Sequence, residues 1–133
     1  MIVLSATAAQ TIEPGQVAQF DRTVLHTGCS ECHRPGTGAV RLRGNGIFDV
    51  SFSGNVGGAA GTQANLALAL GGDPLRETVM VATVTAATDV FNVATSTAVQ
   101  NCCGDYDRIT VENVGTTPVT LGAGSALYIR RIA

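Results

Sequence analysis

The sequence predicts an all-β protein, a two-sheet antiparallel sandwich or jelly roll, in a single domain over residues 1–133. Three observations predict it. Within VRLRGNGIFDVSFSGNV (40–56), Phe48, Val50 and Phe52 alternate with Asp49, Ser51 and Ser53. A period of two puts the apolar side chains on one sheet face and the polar ones on the other. Turn signals recur roughly every ten residues: Glu13-Pro14-Gly15, Arg34 to Gly38, Gly44-Asn45-Gly46, Gly57-Gly58, Gly71 to Pro74, Gly104-Asp105, and Gly115 to Pro118. The apolar fraction is 45%, mostly Ala, Val and Leu, whereas charged residues are only 14% and Trp is absent. That charge content is well below the usual quarter of a chain, so part of the surface is expected to be an interface.

The turns delimit runs with strand character at 2–6, 17–25, 39–43, 47–56, 64–70, 78–86, 91–99, 108–113, 119–121 and 126–132. The N-terminal MIVLSATAAQ reads as an apolar edge strand or docking arm (1–10); completing a sheet is the equal alternative. The runs 39–43 and 47–56 flank Gly44-Asn45-Gly46, a turn chemistry suited to positive φ, and read as a hairpin. In 64–70, Leu66, Leu68 and Leu70 oppose Asn65, Ala67 and Ala69. Thr and Val dominate 78–84, as on a half-buried pleated surface. A helix over 64–70 or 78–87 is disfavoured by β-branched content and by the lack of caps. In 108–113, Ile109 and Val111 oppose Thr110 and Glu112. The predicted core is therefore Phe48, Val50, Phe52, Leu66, Leu68, Leu70, Ile109 and Val111. Eight to ten such strands with Gly-rich turns suit a sandwich or jelly roll.

Charge and hydropathy exclude several function classes. The net charge is −2 and the pI about 5.5, which gives no electrostatic case for nucleic acid. All eight cationic residues are Arg, so neither Schiff-base chemistry nor Lys–Asn cross-linking is available. No run approaches the roughly 20 apolar residues of a membrane helix. The N-terminus lacks a basic stretch and is expected to be a strand rather than a signal peptide.

Four cysteines form two pairs, Cys29/Cys32 and Cys102/Cys103, and His33 follows Cys32. Cys29-Ser30-Glu31-Cys32-His33 matches the covalent haem pattern. Such cytochromes are usually helical and want an axial partner, whereas this segment sits in a Gly-rich loop and the only methionines are Met1 and Met80. Three readings remain: structural disulfides or buried thiols, free thiols without a role, or zinc held by Cys29, Cys32, His33 and one of Cys102 and Cys103. Adjacent cysteines chelate one metal poorly, and a redox pair normally caps a helix.

No catalytic set emerges. His26 and His33, with Asp21 or Glu31, have nothing to fix an acid–base geometry and read as solvated loop histidines. Asp105 and Asp107 suit a polar turn better than a calcium site. Ser5, Ser51 and Ser53 lack a nucleophile elbow, and Gly57 to Gly61 lacks the Lys of a phosphate loop. Arg130 and Arg131 read as partner salt bridges or a solvated tail.

The order of several motifs resembles a known family. Leu42, Gly44, Gly46, Phe48, Val50, Ser51 and Phe52 come first. Leu66, Leu68, Leu70, Gly72 and Leu75 follow, then Ile109, Val111 and Asn113, and finally ALYIRRI. This series is similar to the tumour-necrosis-factor-like jelly rolls. Within them it looks most like the small bacterial and bacteriophage members, including the globular tip of the collagen-like glycoprotein of Bacillus spores. The chain departs in having Gly72-Asp73 where the family hairpin has Asp/Asn-Gly, and in showing no collagen-like Gly-X-Y stalk. The resemblance implies a homotrimer of two-sheet sandwiches, with neighbouring termini and no required cofactor. The expected function is a non-enzymatic structural component of a bacteriophage virion: a capsid decoration (cement) protein or a head spike. Its partners would be further copies of itself and the major capsid protein, on the capsid surface, with no nucleic acid and no membrane. The alternatives are a spore-surface protein, a secreted carbohydrate-binding or adhesion module at a cell surface, and, last, a zinc or redox protein.

Overall fold

A computed structural model of the chain describes residues 1–101 and 107–133. The described residues form thirteen strands. They are β1 (Ile2–Ser5), β2 (Gln10–Ile12), β3 (Arg22–His26), β4 (Glu31–His33), β5 (Val40–Leu42), β6 (Gly46–Gly57) and β7 (Gln63–Leu70). After them come β8 (Asp73–Pro74), β9 (Met80–Thr83), β10 (Phe91–Asn101), β11 (Arg108–Asn113), β12 (Val119–Leu121) and β13 (Ala126–Arg131). A single 3-10 turn, Arg76–Thr78, precedes β9.

The strands make two antiparallel sheets. The seven-stranded sheet runs β2–β12–β6–β13–β1–β3, with β10 also on β6. Strands β12 and β13 pair end to end along one side of β6, and β10 takes the other side. The six-stranded sheet runs β4–β5–β11–β7, with β8 and β9 both on β7. The termini lie together, because Ile2 pairs with Ile129.

The core sits between the sheets. Along β6, Phe48, Val50, Phe52 and Val56 are buried while Ile47, Ser53 and Asn55 are exposed. The buried set joins Leu66, Leu68, Ile109, Val111, Val40 and Leu42 from the other sheet in one cluster. Each such side chain contributes about 1.5–3 kcal/mol through removal from water. Gly54 continues the inward face of β6 without a side chain. A Cβ there would lie 2.7 Å from Ser125 Oγ and 3.0 Å from Leu121 Cδ1. Asn113 ends β11 on the buried side. Its amide donates to the carbonyls of Ile12 (2.8 Å) and Thr117 (2.9 Å), and its Oδ1 accepts from Gly115 N. A buried Asn with partners on both ends of its amide ties the β2, β11 and 114–117 segments together.

Several sequence expectations need correction. The 40–56 stretch is not a hairpin. Strand β5 pairs with β4 and β11, whereas β6 belongs to the opposite sheet. Val40 and Leu42 must face Phe48 and Val50 across the core, which a single sheet does not allow. The Gly44-Asn45-Gly46 turn therefore carries the chain between layers. Gly44 takes the positive φ (77°), and Arg131 Nη2 donates to the Asn45 carbonyl at 2.5 Å.

The 1–10 segment is neither an edge strand nor a free arm. Strand β1 is paired on both sides, by β13 and β3, and its Ile2 and Leu4 are buried. The 17–25 run breaks into isolated bridges at Val17 and Phe20, followed by β3, because Phe20 turns into the core. The 78–86 run shortens to β9 after the 3-10 turn. Leu70 is only half-buried and packs at the margin of the core, since it is the last residue before the Gly71-Gly72 turn. Ala67 and Ala69, expected outside, are buried.

Candidate functional site

Two outer sheet faces remain once the core is filled. On the seven-stranded sheet the register sets small uncharged residues in rows. Ala94, Ser53, Ala126 and Ser5 lie side by side across β10, β6, β13 and β1. The next row is Ser96, Ser51, Tyr128 and Val3, which continues to Leu25 on β3. These residues are exposed or half-exposed. Ser51, Ser53, Ala94, Ser96, Ala126 and Tyr128 line an open hollow of about 430 Å³. The charged residues of the following row answer each other: Arg130 Nη2 lies 3.9 Å from Asp49 Oδ2.

The same sheet ends in an open edge. Among the described residues β10 pairs only with β6, and its eleven residues carry no charge. Exposed sheet edges normally carry charges, Pro or bulges that prevent pairing with another chain. Nearby exposed apolar residues are Val79 (44%), Val81 (55%) and Val90 (67%). Long uncharged edges and apolar patches of this kind mark association surfaces.

The six-stranded sheet presents a different surface. His26, Cys32, His33, Arg34, Arg41 and Arg108 line an open cleft of about 680 Å³. The two histidines lie on strands rather than in solvated loops. His26 Nε2–H donates to the Glu31 carbonyl (2.8 Å) and His33 Nε2–H to the Thr37 carbonyl (2.9 Å). The Glu31 side chain is buried, and its Oε2 pairs with the Met1 ammonium at 3.0 Å. A buried carboxylate tolerates its desolvation only with such a partner.

The cysteine segment was expected in a loop, but Cys32 and His33 belong to β4. Cys29 is an exposed free thiol and Cys32 a half-buried one, with Arg43 Nη1 donating to Cys32 Sγ at 3.9 Å. Cys102, Cys103 and Asp105 lie outside the described residues. Among the described residues no three His, Cys, Asp or Glu side chains gather as a metal site. Asp107 uses its carbonyl to accept from Leu42 N, at 2.8 Å. Arg130 and Arg131 bond within the chain, the first to Asp49 and the second to the carbonyls of Asn45 and Ala133. Asp21 is held by Thr7, whose hydroxyl and backbone N–H both donate to its carboxylate. These bonds lower its pKa below the ordinary 3.8.

No protein-family model matches the sequence, and no curated protein matches it. Solved structures do match. The Eiger TNF from S. frugiperda superposes with a TM-score of 0.75 at 12% identity, over 99% of this chain and 91% of that one. The fold is a tumour-necrosis-factor-like jelly roll. The globular domain of zebrafish complement 1qA protein matches with a TM-score of 0.73 at 10% identity, covering 99% of this chain and 96% of its own. The PRD1 vertex protein P5 matches with a TM-score of 0.54 at 14% identity, over 99% and 94% of the two chains. The jelly-roll frame thus recurs in a TNF, a complement globular domain and a vertex protein.

Sequence reasoning missed Tyr128, Ala94 and Ser96 as surface residues of interest. For Ala94 and Ser96 the signal was the uncharged run 90–104. It named Glu31 only beside the histidines and missed its pairing with the Met1 ammonium, thirty residues away.

Proposed function

We propose that this chain is a non-enzymatic structural protein that assembles as a homotrimer and decorates a bacteriophage head. The uncharged outer face of the seven-stranded sheet, ending in the open β10 edge, supports the assembly. Ser51, Ser53, Ala94 and Ser96 offer an uncharged surface that costs little to desolvate, and β10 has no charge to repel a neighbour. Closed rotational symmetry then buries the edge, where an open arrangement would propagate it. The Val79 and Val81 side chains beside that edge add apolar area to the contact.

The virion role has support from the fold shared with the PRD1 vertex protein P5. Three linked copies dock to a local threefold with avidity, so modest contacts to the major capsid protein suffice. Co-sedimentation with phage heads tests this role. Saturable binding, in multiples of three copies per site, is the expected result. Protein left in the supernatant of cognate heads rejects it.

A further inference from the structure

The cleft of about 680 Å³ beside β4 holds a nucleophile that the proposed assembly does not use. Cys32 lines it together with His26, His33, Arg34, Arg41 and Arg108. The thiol is free and half-buried, and Arg43 Nη1 donates to its Sγ at 3.9 Å. No Asp or Glu is among the described residues that line the cleft. The adjacent acid, Glu31, is buried, and the Met1 ammonium answers its charge. Neither Arg34 nor Arg108 makes an ion pair among the described residues. A chain of net charge −2 thus gathers cationic side chains around one sulfur.

Reactive cysteines occupy electropositive, partly exposed surroundings. A cleft of one sign of charge also raises the local concentration of reagents of the opposite sign. Cys29 supplies the contrast within the same segment. It too is a free thiol and is the more exposed of the two, but it does not line the cleft. Exposure alone favours Cys29 with every reagent, whereas the arginines favour Cys32 with an anionic one. We propose that Cys32 is a modification site for anionic low-molecular-weight disulfides of the glutathione type, with the carboxylates of the attached group held by Arg34 and Arg108. The exchange balances with no other reactant. The Cys32 thiol gives its proton to solvent, and the thiolate attacks one sulfur of glutathione disulfide. The bond between the two glutathione sulfurs breaks as the bond from Cys32 to one of them forms, and the departing glutathione thiolate takes up a proton. The site rests on neither the trimer nor the virion role.

Timed exposure of the full chain to glutathione disulfide or to cystamine, a dicationic disulfide, tests the site. Mass spectrometry reads the extent of modification, and fragmentation of the peptides assigns the sulfur. Cys29→Ser leaves Cys32 to be followed without its neighbour, and Cys32→Ser leaves Cys29. Intrinsic differences between the reagents act on both thiols and cancel in the comparison. The preference of Cys32 for glutathione disulfide over cystamine should exceed that of Cys29 about tenfold. About 0.5 M salt should remove most of this excess. Arg34→Gln and Arg108→Gln should each reduce it about threefold while leaving Cys29 unchanged. Arg34 is exposed beside the Pro35-Gly36 turn, so its variant guards against misfolding of the strand variant. Failure of Cys32 to take up glutathione in the native chain, the same preference at both thiols, insensitivity to salt, or indifference to both arginine variants would each overturn the proposal.

Discussion

The two outer faces of the sandwich are opposites. Where β6, β10 and β13 look outward, Ser51, Ser53, Ala94, Ser96 and Ala126 form an uncharged field with Tyr128 in its midst. Where β5 and β11 look outward, Arg41, Arg108 and Glu112 border recessed space. Both faces sit on the same core, so the demands of folding do not explain the difference. A face left to water can keep its charges at no cost, whereas a face to be covered must desolvate whatever it carries. The contrast fits the proposed assembly, in which the uncharged layer meets protein and the charged layer stays with solvent.

The comparison can be broken most forcefully from below. Phe52 and Ser53 are successive residues of β6, one buried and one exposed. Phe52→Ala should cost about 3–5 kcal/mol of unfolding free energy in urea titration, through lost burial and the cavity left behind. Ser53→Arg should leave folding of the single chain within about 0.5 kcal/mol, as surface changes usually do. It should nevertheless dissociate the assembly, since an unpaired charge would be buried in the contact. Arg108→Ser, on the other layer, should leave the assembled mass unchanged, both variants being read by analytical sedimentation. Dissociation by both charge changes would erase the distinction between the faces.

A smaller effect belongs to Gly54. Ala at this position drives a methyl group against Ser125, Leu121 and Phe52. The expected loss is about 1–3 kcal/mol by thermal or urea unfolding. No loss would mean that the core beneath the uncharged face gives way more readily than its packing implies. The smallest effect is electrostatic. Hydrogen bonds from Thr7 hold the Asp21 carboxyl below its ordinary 3.8. The folded-state pKa is the lower one, so the contribution is fully present above the unfolded value and disappears as pH falls through the folded value. Asp21→Asn should lower stability slightly at neutral pH, where the contribution is fully present, and flatten the acid-stability profile below about pH 4.

How much of this was legible in the sequence depended on the range of the interactions involved. The inward set Phe48, Val50, Phe52, Leu66, Leu68, Ile109 and Val111 follows from alternation alone, because each strand needs only its own period to sort its faces. The destination of the Gly44-Asn45-Gly46 turn does not. A turn between layers and a hairpin use the same residues, and the choice rests on β11, more than sixty residues downstream. Strand β4 was invisible because Glu31, Cys32 and His33 have little intrinsic strand preference and gain their conformation from pairing with β5. The N-terminal strand looked like an edge because its cover, β3, has five exposed residues and no alternation to betray it. The assembly face was legible only as a shortage of charge. The clefts of the other layer were not legible at all, since strands distant in sequence bring His33 and Arg108 to one and Arg108 and Glu112 to the next.

The direct test of the central claim is the mass of the purified protein in solution by light scattering. Assembly through the uncharged face as a homotrimer predicts about three times the chain mass of 13.6 kDa, independent of dilution through the micromolar range. A stable particle of one chain mass would contradict it.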